Sequence, residues 1–181
     1  VGLDLLAAIN QMEHPEILRV AQLVYIPAFV YEAEPGDSLF RISRRFGIPM
    51  SVITKANQNR PGFSPELIYP GFRLVVPLPS STNIAVFTPL PGSRIFPGQV
   101  LSGVGRAFEA AMLYQIRDAA DQTVTRERPF MTSAGAPSFG SFSVPIQFDQ
   151  APSTSSGTLL VYTLSAKDGS IQDLVEVAVT F

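Results

Sequence analysis

The chain has 181 residues, 46% of them hydrophobic and 15% charged, with a formal net charge of -2, no cysteine and a single histidine. That length holds one medium domain or two small ones with ample apolar side chains for their cores. The composition excludes disulfides and thiolate metal sites, offers His14 no partner for a zinc site, gives no electrostatic footprint for nucleic acid, and contains no apolar run near the roughly 20 residues that span a bilayer. The chain opens on Val1 rather than methionine, so an upstream part, removed or not included, is expected.

The first segment contains an internal repeat. Asp4–Gln11 runs parallel to Ser51–Gln58, and Ile17–Pro27 runs parallel to Leu67–Pro77. Asn10 and Asn57 are 47 residues apart, whereas Pro27 and Pro77 are 50 apart, so the second copy has a loop three residues longer. Nothing before Asp4 corresponds to what precedes Ser51, and the first copy reads as a C-terminal half. Its strand is expected at Leu23–Ile26, without the partner strand that would cover its hydrogen-bonding edge.

The second copy reads as strand, helix, helix, strand. Val30–Glu34 alternates well enough for a short strand, and Pro35-Gly36 ends it. Asp37 or Ser38 caps a helix whose Leu39, Ile42 and Phe46 form one apolar stripe, and Gly47 stops it. Arg41, Arg44 and Arg45 fall mostly off that stripe and read as a solvated face. Pro49 opens a second short helix that carries Val52, Ile53 and Ala56 inward and ends at Asn57. A Pro/Gly-rich loop from Arg60 to Gly71 then leads to a strand at Arg73–Val76.

The run from Tyr31 through Pro35, Gly36, Asp37, Ser38 and Leu39 to Ile42 resembles the opening of a lysin motif (LysM) module. Ile53, Ala56, Asn57 and the run Leu67–Pro77 resemble its close. The resemblance spans about 47 residues and implies a βααβ fold that binds N-acetylglucosamine-containing glycans, chiefly peptidoglycan and chitin. It places the glycan in a shallow groove between Gly36, Asp37, Ser38 and Leu39 on one wall and Pro65, Leu67, Ile68 and Tyr69 on the other. An N-acetyl group suits such a place, because its donor, acceptor and methyl match backbone amides and a small apolar patch. Gly36 and Gly71 also read as turn formers, and Asn57 as a holder of loop backbone groups. Two positions depart from the pattern: Phe72 stands where the family usually has a polar residue, and Val20-Ala21 replaces Pro-Gly in the first copy. With no strand or helix to supply its other wall, the segment 1–28 alone is not expected to bind glycan.

Pro77 to Thr82 is rich in proline and serine and reads as a linker. Beyond it the pattern is all-β, with strands expected at Ile84–Thr88, Val100–Val104, Ala111–Asp118, Thr123–Pro129, Ser141–Phe148, Gly157–Ser165 and Leu174–Phe181. Asp168-Gly169 is a hairpin turn between the last two. Leu113, Ile116, Leu160, Tyr162 and Leu164 are core candidates, as are Val175, Val177, Val179 and Phe181. Thr88-Pro89, Pro91-Gly92, Leu101–Gly103, Ala107–Glu109, Leu113, Phe142-Ser143 and Leu164–Ser170 resemble the immunoglobulin-like domain of bacterial spore germination. That resemblance implies an extracytoplasmic Gram-positive protein connected with sporulation or germination, and no biochemical activity. Glu109 and Asp168 lack the spacing of a calcium loop and read as rim and hairpin residues.

The expected fold is therefore α+β, a βααβ lysin motif with a preceding half copy, plus an all-β immunoglobulin-like sandwich. The divisions are 1–28 half motif, 29–77 complete motif, 78–83 linker and 84–181 sandwich. The expected function is non-catalytic: a cell-wall or spore-envelope protein that binds peptidoglycan or a chitin-type glycan without a cofactor or metal. The alternative is a protein-interaction module of the spore envelope without sugar binding. The sandwich serves as spacer or as docking surface for another envelope protein. The apolar residues of 1–28 are expected to pack on the following motif or on a second molecule in a two-fold homodimer.

Overall fold

The computed structural model describes residues 2–181. Helix α1 (Leu3–Ile9) opens the chain, and strand β1 (Ala28–Glu32), helices α2 (Leu39–Phe46) and α3 (Met50–Asn57) and strand β2 (Arg73–Pro77) follow. β1 and β2 pair antiparallel from Ala28 opposite Pro77 to Glu32 opposite Arg73. β1 is displaced two residues toward the N-terminus from the expected Val30–Glu34. Ala33 and Glu34 leave the ladder because the Glu34 N–H turns to the Asp37 carboxylate, 2.9 Å away. Leu39, Ile42 and Phe46 of α2 are buried with Ile53, Leu74 and Val76, and this is the core of the unit. Val52, expected inward, is 40% exposed.

Asn57 ties α3 to β2. It is fully buried, its amide donates to the carbonyls of Ile53 (2.8 Å) and Val75 (2.7 Å), and its carbonyl accepts the Val75 N–H at 2.9 Å. Asn10 repeats the arrangement in the first copy, donating to Leu6 (2.8 Å) and Tyr25 (2.9 Å) and accepting the Tyr25 N–H at 2.6 Å. Both partners follow the repeat's offsets, so the half copy keeps the closing geometry of the complete one. Leu23–Ile26 nevertheless forms no strand, since no neighbour supplies its ladder. Ala21 has a φ of 64° where the complete copy has Gly71 at 82°, so the turn survives the loss of its glycine. α1 reaches the sandwich, where Asp4 lies 3.6 Å from Arg106.

The remaining strands form a two-sheet sandwich. β3 (Ile84–Thr88), β4 (Val100–Gly105) and β7 (Gly140–Pro145) form one sheet. The other runs in the order β6-β5-β8-β9, with β5 (Ala111–Asp118), β6 (Thr123–Met131), β8 (Ser156–Leu164) and β9 (Ile171–Thr180). Ile84, Val86, Leu101 and Phe142 face Met112, Ile116, Leu159, Val161, Val175, Val177 and Val179 across the core. Two expected core sets slip in parity. In β8 the core face is Leu159 and Val161, Leu160 is half-buried, Leu164 is exposed, and Tyr162 is buried with its hydroxyl on Glu127. In β5 Leu113 is half-buried while Met112, Tyr114 and Ile116 are buried. Consecutive apolar residues on both parities hide the inward face. β7 ends at Pro145, short of Phe148, because proline brings no N–H to the ladder.

The two units touch at the C-terminal end of α2. There Gly92 stands so close to Phe46 and the Arg45 carbonyl that a Cβ on it would lie 3.0 Å and 3.1 Å away, and a Cβ on Gly47 would lie 3.0 Å from that of Ala178. In the sandwich, Asp118 gathers the loop after β8's partner strand: its carboxylate accepts from the N–H groups of Ala120 (3.0 Å), Gln122 (2.9 Å) and Ser153 (2.8 Å), and from the Ser153 hydroxyl. The Ser153 hydroxyl foremost, opposed by burial, holds this carboxyl below the usual carboxylate range.

Two predictions follow from these hubs. Asn57→Ala strips both polar groups of Val75 of their buried partner, and at about 1–3 kcal/mol for each such group should destabilise the βααβ unit by about 2–6 kcal/mol. Calorimetry of the full chain should show that transition moved down with the sandwich transition in place. Because the folded pKa of Asp118 is depressed, its contribution to stability is present above the unfolded value, about pH 4, and is lost as pH falls through the folded one. Urea unfolding between about pH 5 and 2 should therefore show a shallower loss of sandwich stability in Asp118→Asn than in the parent.

Candidate functional site

The site is built on the two loops that leave β1 and enter β2. Past the last ladder pair, Ala33 donates its N–H to the Phe72 carbonyl (2.9 Å) and accepts the Gly71 N–H (2.7 Å). These bonds hold the turn that follows β1 beside the turn that precedes β2. On the first side, Glu34-Pro35-Gly36-Asp37 closes through the Asp37 N–H on the Glu34 carbonyl at 3.1 Å. Gly36 has a φ of 86°, a backbone state that side-chain-bearing residues rarely adopt.

Asp37 is a structural anchor of this wall. Its carboxylate accepts from the Tyr31 hydroxyl at 2.6 Å and from the Glu34 N–H. Burial, and then the hydrogen bond to Asp37, push the Tyr31 hydroxyl up to about 12, so it stays a donor at every physiological pH. Ser38, not Asp37, caps α2, its Oγ accepting the Arg41 N–H at 3.3 Å. The arginines expected to form only a solvated face also brace the turn. Arg41 donates to the Gly36 carbonyl (3.2 Å), and Arg45 donates to the Tyr31 hydroxyl (3.0 Å) and Glu34 (3.2 Å), its guanidinium 5.5 Å from the Tyr31 ring centre. Sequence reasoning missed this role, although the i,i+4 spacing that puts both on one helix face was there to read.

The second wall is the segment Ser64–Phe72. Tyr69 accepts the Phe72 N–H at 3.0 Å, and Phe72 packs its ring 6.2 Å from Phe63. Phe72 thereby fills the base of the loop, which accounts for an apolar residue at that position. The Ser64 hydroxyl donates to Glu66 at 2.8 Å and holds the Glu66 carboxyl below the usual range.

The eight residues singled out from the sequence therefore divide. Gly36, Ser38, Pro65, Leu67 and Tyr69 are exposed, and Asp37 is half-buried in the turn. Leu39 and Ile68 are buried in the core, so they support the two walls from behind and present no side chain to a ligand. The N–H groups of Gly36, Ser38 and Leu39 have no partner among the described residues and supply donors at the N-terminal end of α2. The arrangement offers amide donors and an exposed aromatic–aliphatic pair, Tyr69 and Leu67, suited to a neutral polar ligand with small apolar groups. Among the described residues no cluster of three or more His, Asp or Glu side chains is placed to hold a metal, and no helix is long and apolar enough to cross a membrane.

Comparison with known proteins agrees with this fold. Residues 31–77 match the family model of the LysM domain, and residues 83–170 match that of the immunoglobulin-like domain of bacterial spore germination. No curated protein matches the chain, and no solved structure does. The first match ends at the last residue of β2, and the second covers most of the sandwich, from Asn83 into the turn before β9. The chain thus carries a LysM domain followed by an immunoglobulin-like domain of bacterial spore germination.

Proposed function

We propose that this is a non-catalytic cell-wall or spore-envelope protein that binds N-acetylglucosamine-containing glycan, peptidoglycan in the first place, between the Gly36–Leu39 and Pro65–Tyr69 walls. The observation that carries the reading is the pair of Ala33 hydrogen bonds, which tie the chain just before the Gly36 turn to Gly71 and Phe72, at the end of the loop that carries exposed Leu67 and Tyr69. The Tyr69 ring and Leu67 side chain suit a sugar face and an acetyl methyl, and the amides suit the acetyl carbonyl. Asp37 acts here through the turn it closes, and Leu39 and Ile68 act through the core.

The orientation of the units supports the same reading. The sandwich contacts the far end of α2, at Arg45–Gly47, about 12 Å along the helix from Ser38, and so leaves the groove open to a polymer. In this reading the sandwich is a spacer or docking module outside the cytoplasm of a Gram-positive bacterium, connected with sporulation or germination.

The carboxylates near the groove argue against glycoside hydrolysis. A glycosidase requires a protonated acid, commonly obtained by raising a carboxyl pKa. Asp37 is engaged by Tyr31 and the Glu34 N–H, and the Glu66 carboxyl is held low rather than raised. Incubation of the purified chain with peptidoglycan or chitin should release no reducing ends, and their release in proportion to protein added would contradict the reading.

Co-sedimentation with insoluble peptidoglycan, with chitin and cellulose as comparisons, tests binding itself. The parent should be depleted by peptidoglycan and not by cellulose. Tyr69→Ala should weaken binding about three- to tenfold, equivalent to about 1 kcal/mol for one exposed aromatic face. Gly36→Val has room for its side chain, the nearest atom to a Cβ being Arg41 Nη1 at 3.9 Å, but forces a β-branched residue into positive φ. It should abolish binding while the sandwich transition stays unchanged. No depletion of the parent by peptidoglycan or chitin would leave the protein-interaction reading in place.

A further inference from the structure

One end of the sandwich gathers four connecting segments. The ladders bring the starts of β3, β5, β7 and β9 beside the ends of β4, β6 and β8, so the segments 81–83, 106–110, 132–139 and 165–170 meet there. Between them lies a hollow of about 780 Å³, within the range of about 300–1,000 Å³ typical of small-molecule sites. Asp173 in its wall lies about 16 Å along β9 from Ala178, where the βααβ unit touches the sandwich, so that contact is at the far end of the strand.

Much of the wall is apolar and held in place. Ala107, Phe108, Ala136 and Leu164 line it, and Phe108 and Leu164 are 67% and 38% exposed. The Thr132 N–H donates to the Ala110 carbonyl (2.9 Å) and the Ala136 N–H to the Ala107 carbonyl (2.8 Å), which stitches 106–110 to 132–136. These bonds hold Glu109 and Ala110 at φ of 52° and 60° and so fix where the Glu109 side chain leaves the backbone. The hollow also carries charge of both signs. Arg106 donates from Nε and Nη2 to Asn83 Oδ1 at 2.9 Å and 2.7 Å, and its guanidinium lies 4.6 Å from the Phe139 ring centre. Its Nη1 has no hydrogen bond among the described residues, and the exposed Asp4 carboxylate stands 3.6 Å from it. Asp173 accepts from the Asn83 amide on Oδ2 at 2.7 Å. Neither its other oxygen nor the Glu109 carboxylate has a side-chain partner among the described residues.

We infer that this hollow binds a short peptide that carries an ammonium and a carboxylate group with small apolar side chains between them, and that this peptide is the stem of peptidoglycan. The carboxylates of Glu109 and Asp173 take the ammonium, Arg106 Nη1 takes the carboxylate, and Phe108, Leu164 and the two alanines take methyl groups. An entirely apolar occupant would cover those charges without a partner, and an entirely basic one would set like charge against Arg106. The stem peptide, built of alanine, glutamate and a diamino acid, has the required groups in one short chain. Its assignment as the source rests on the peptidoglycan reading above, whereas the chemistry of the hollow does not. Exposed charge pairs add little each, so the affinity is millimolar and the hollow by itself does not retain the chain on insoluble wall.

The test is amide NMR of the full chain, titrated to millimolar concentration with the N-acetylated tetrapeptide of L-alanine, γ-D-glutamate, L-lysine and D-alanine. Saturable shifts are expected at Phe108–Ala110 and Leu164–Ala166, with Gly36–Leu39 unmoved. The same peptide with its lysine amine acetylated should bind about threefold or more weakly. The unmodified peptide should lose as much on Glu109→Gln, a substitution at an exposed side chain. Absence of shifts at these residues, shifts confined to 29–77, or undiminished binding in either control overturns the inference. A chitin tetramer contains no peptide, so its failure to bind contradicts the glycan reading alone and leaves the hollow to be judged on the peptide.

Discussion

One buried amide organises the βααβ unit. Asn57 satisfies the two backbone groups of Val75 and at the same time a carbonyl of its own helix, so α3 and β2 have one relative position that leaves no buried polar group unpaired. With one edge of β2 closed by a side chain, only the other edge is free for β1, and the register of that pairing follows. The register puts Ala33 one step beyond the ladder, where its two polar groups take up Phe72 and Gly71. The placement of the turn after β1 beside Gly71 and Phe72 is therefore a consequence of an asparagine buried elsewhere in the unit. The same clamp recurs at Asn10, where no strand pairs with the closing segment among the described residues.

The proposed binding surface is assembled from backbone more than from side chains. Its turn needs a positive φ at Gly36 and is braced from three directions by Asp37, Arg41 and Arg45. Such a turn is pre-ordered, so a ligand need not organise it on binding. A shallow, pre-formed surface of this size still buries little area, and strength is expected from repetition of such units along a polymer rather than from one of them.

Most of the fold was legible because local rules and tertiary needs agree. Ser38, the Leu39–Ile42–Phe46 stripe and Gly47 mark the start, buried face and end of α2, and the structure uses all of them. The repeat aligned Asn10 with Asn57, and the structure shows the same clamp at both, with the three-residue difference in partner spacing. What was not legible had specific causes. The face of β8 could not be read where Leu159, Leu160, Val161 and Tyr162 follow one another, since alternation carries no signal when both parities are apolar. The end of β1 was misplaced because Glu34 is drawn out of the strand by a side chain three residues ahead. The division of the site residues into exposed contacts and buried supports depends on which side of a loop faces the core, and spacing alone does not give that for Leu39 and Ile68. Asp118, the hub of the 118–122 and 153 loops, joins positions 35 residues apart that no local pattern connects.

The central claim is a location: glycan is held between the turn after β1 and the loop before β2. The most direct measurement is an amide NMR titration of the full chain with a chitin tetramer at millimolar concentration. The account predicts saturable shifts at Gly36, Ser38, Leu39 and Leu67–Tyr69, with the sandwich amides unmoved. Saturable shifts confined to the sandwich, or no shift at any residue, would contradict it.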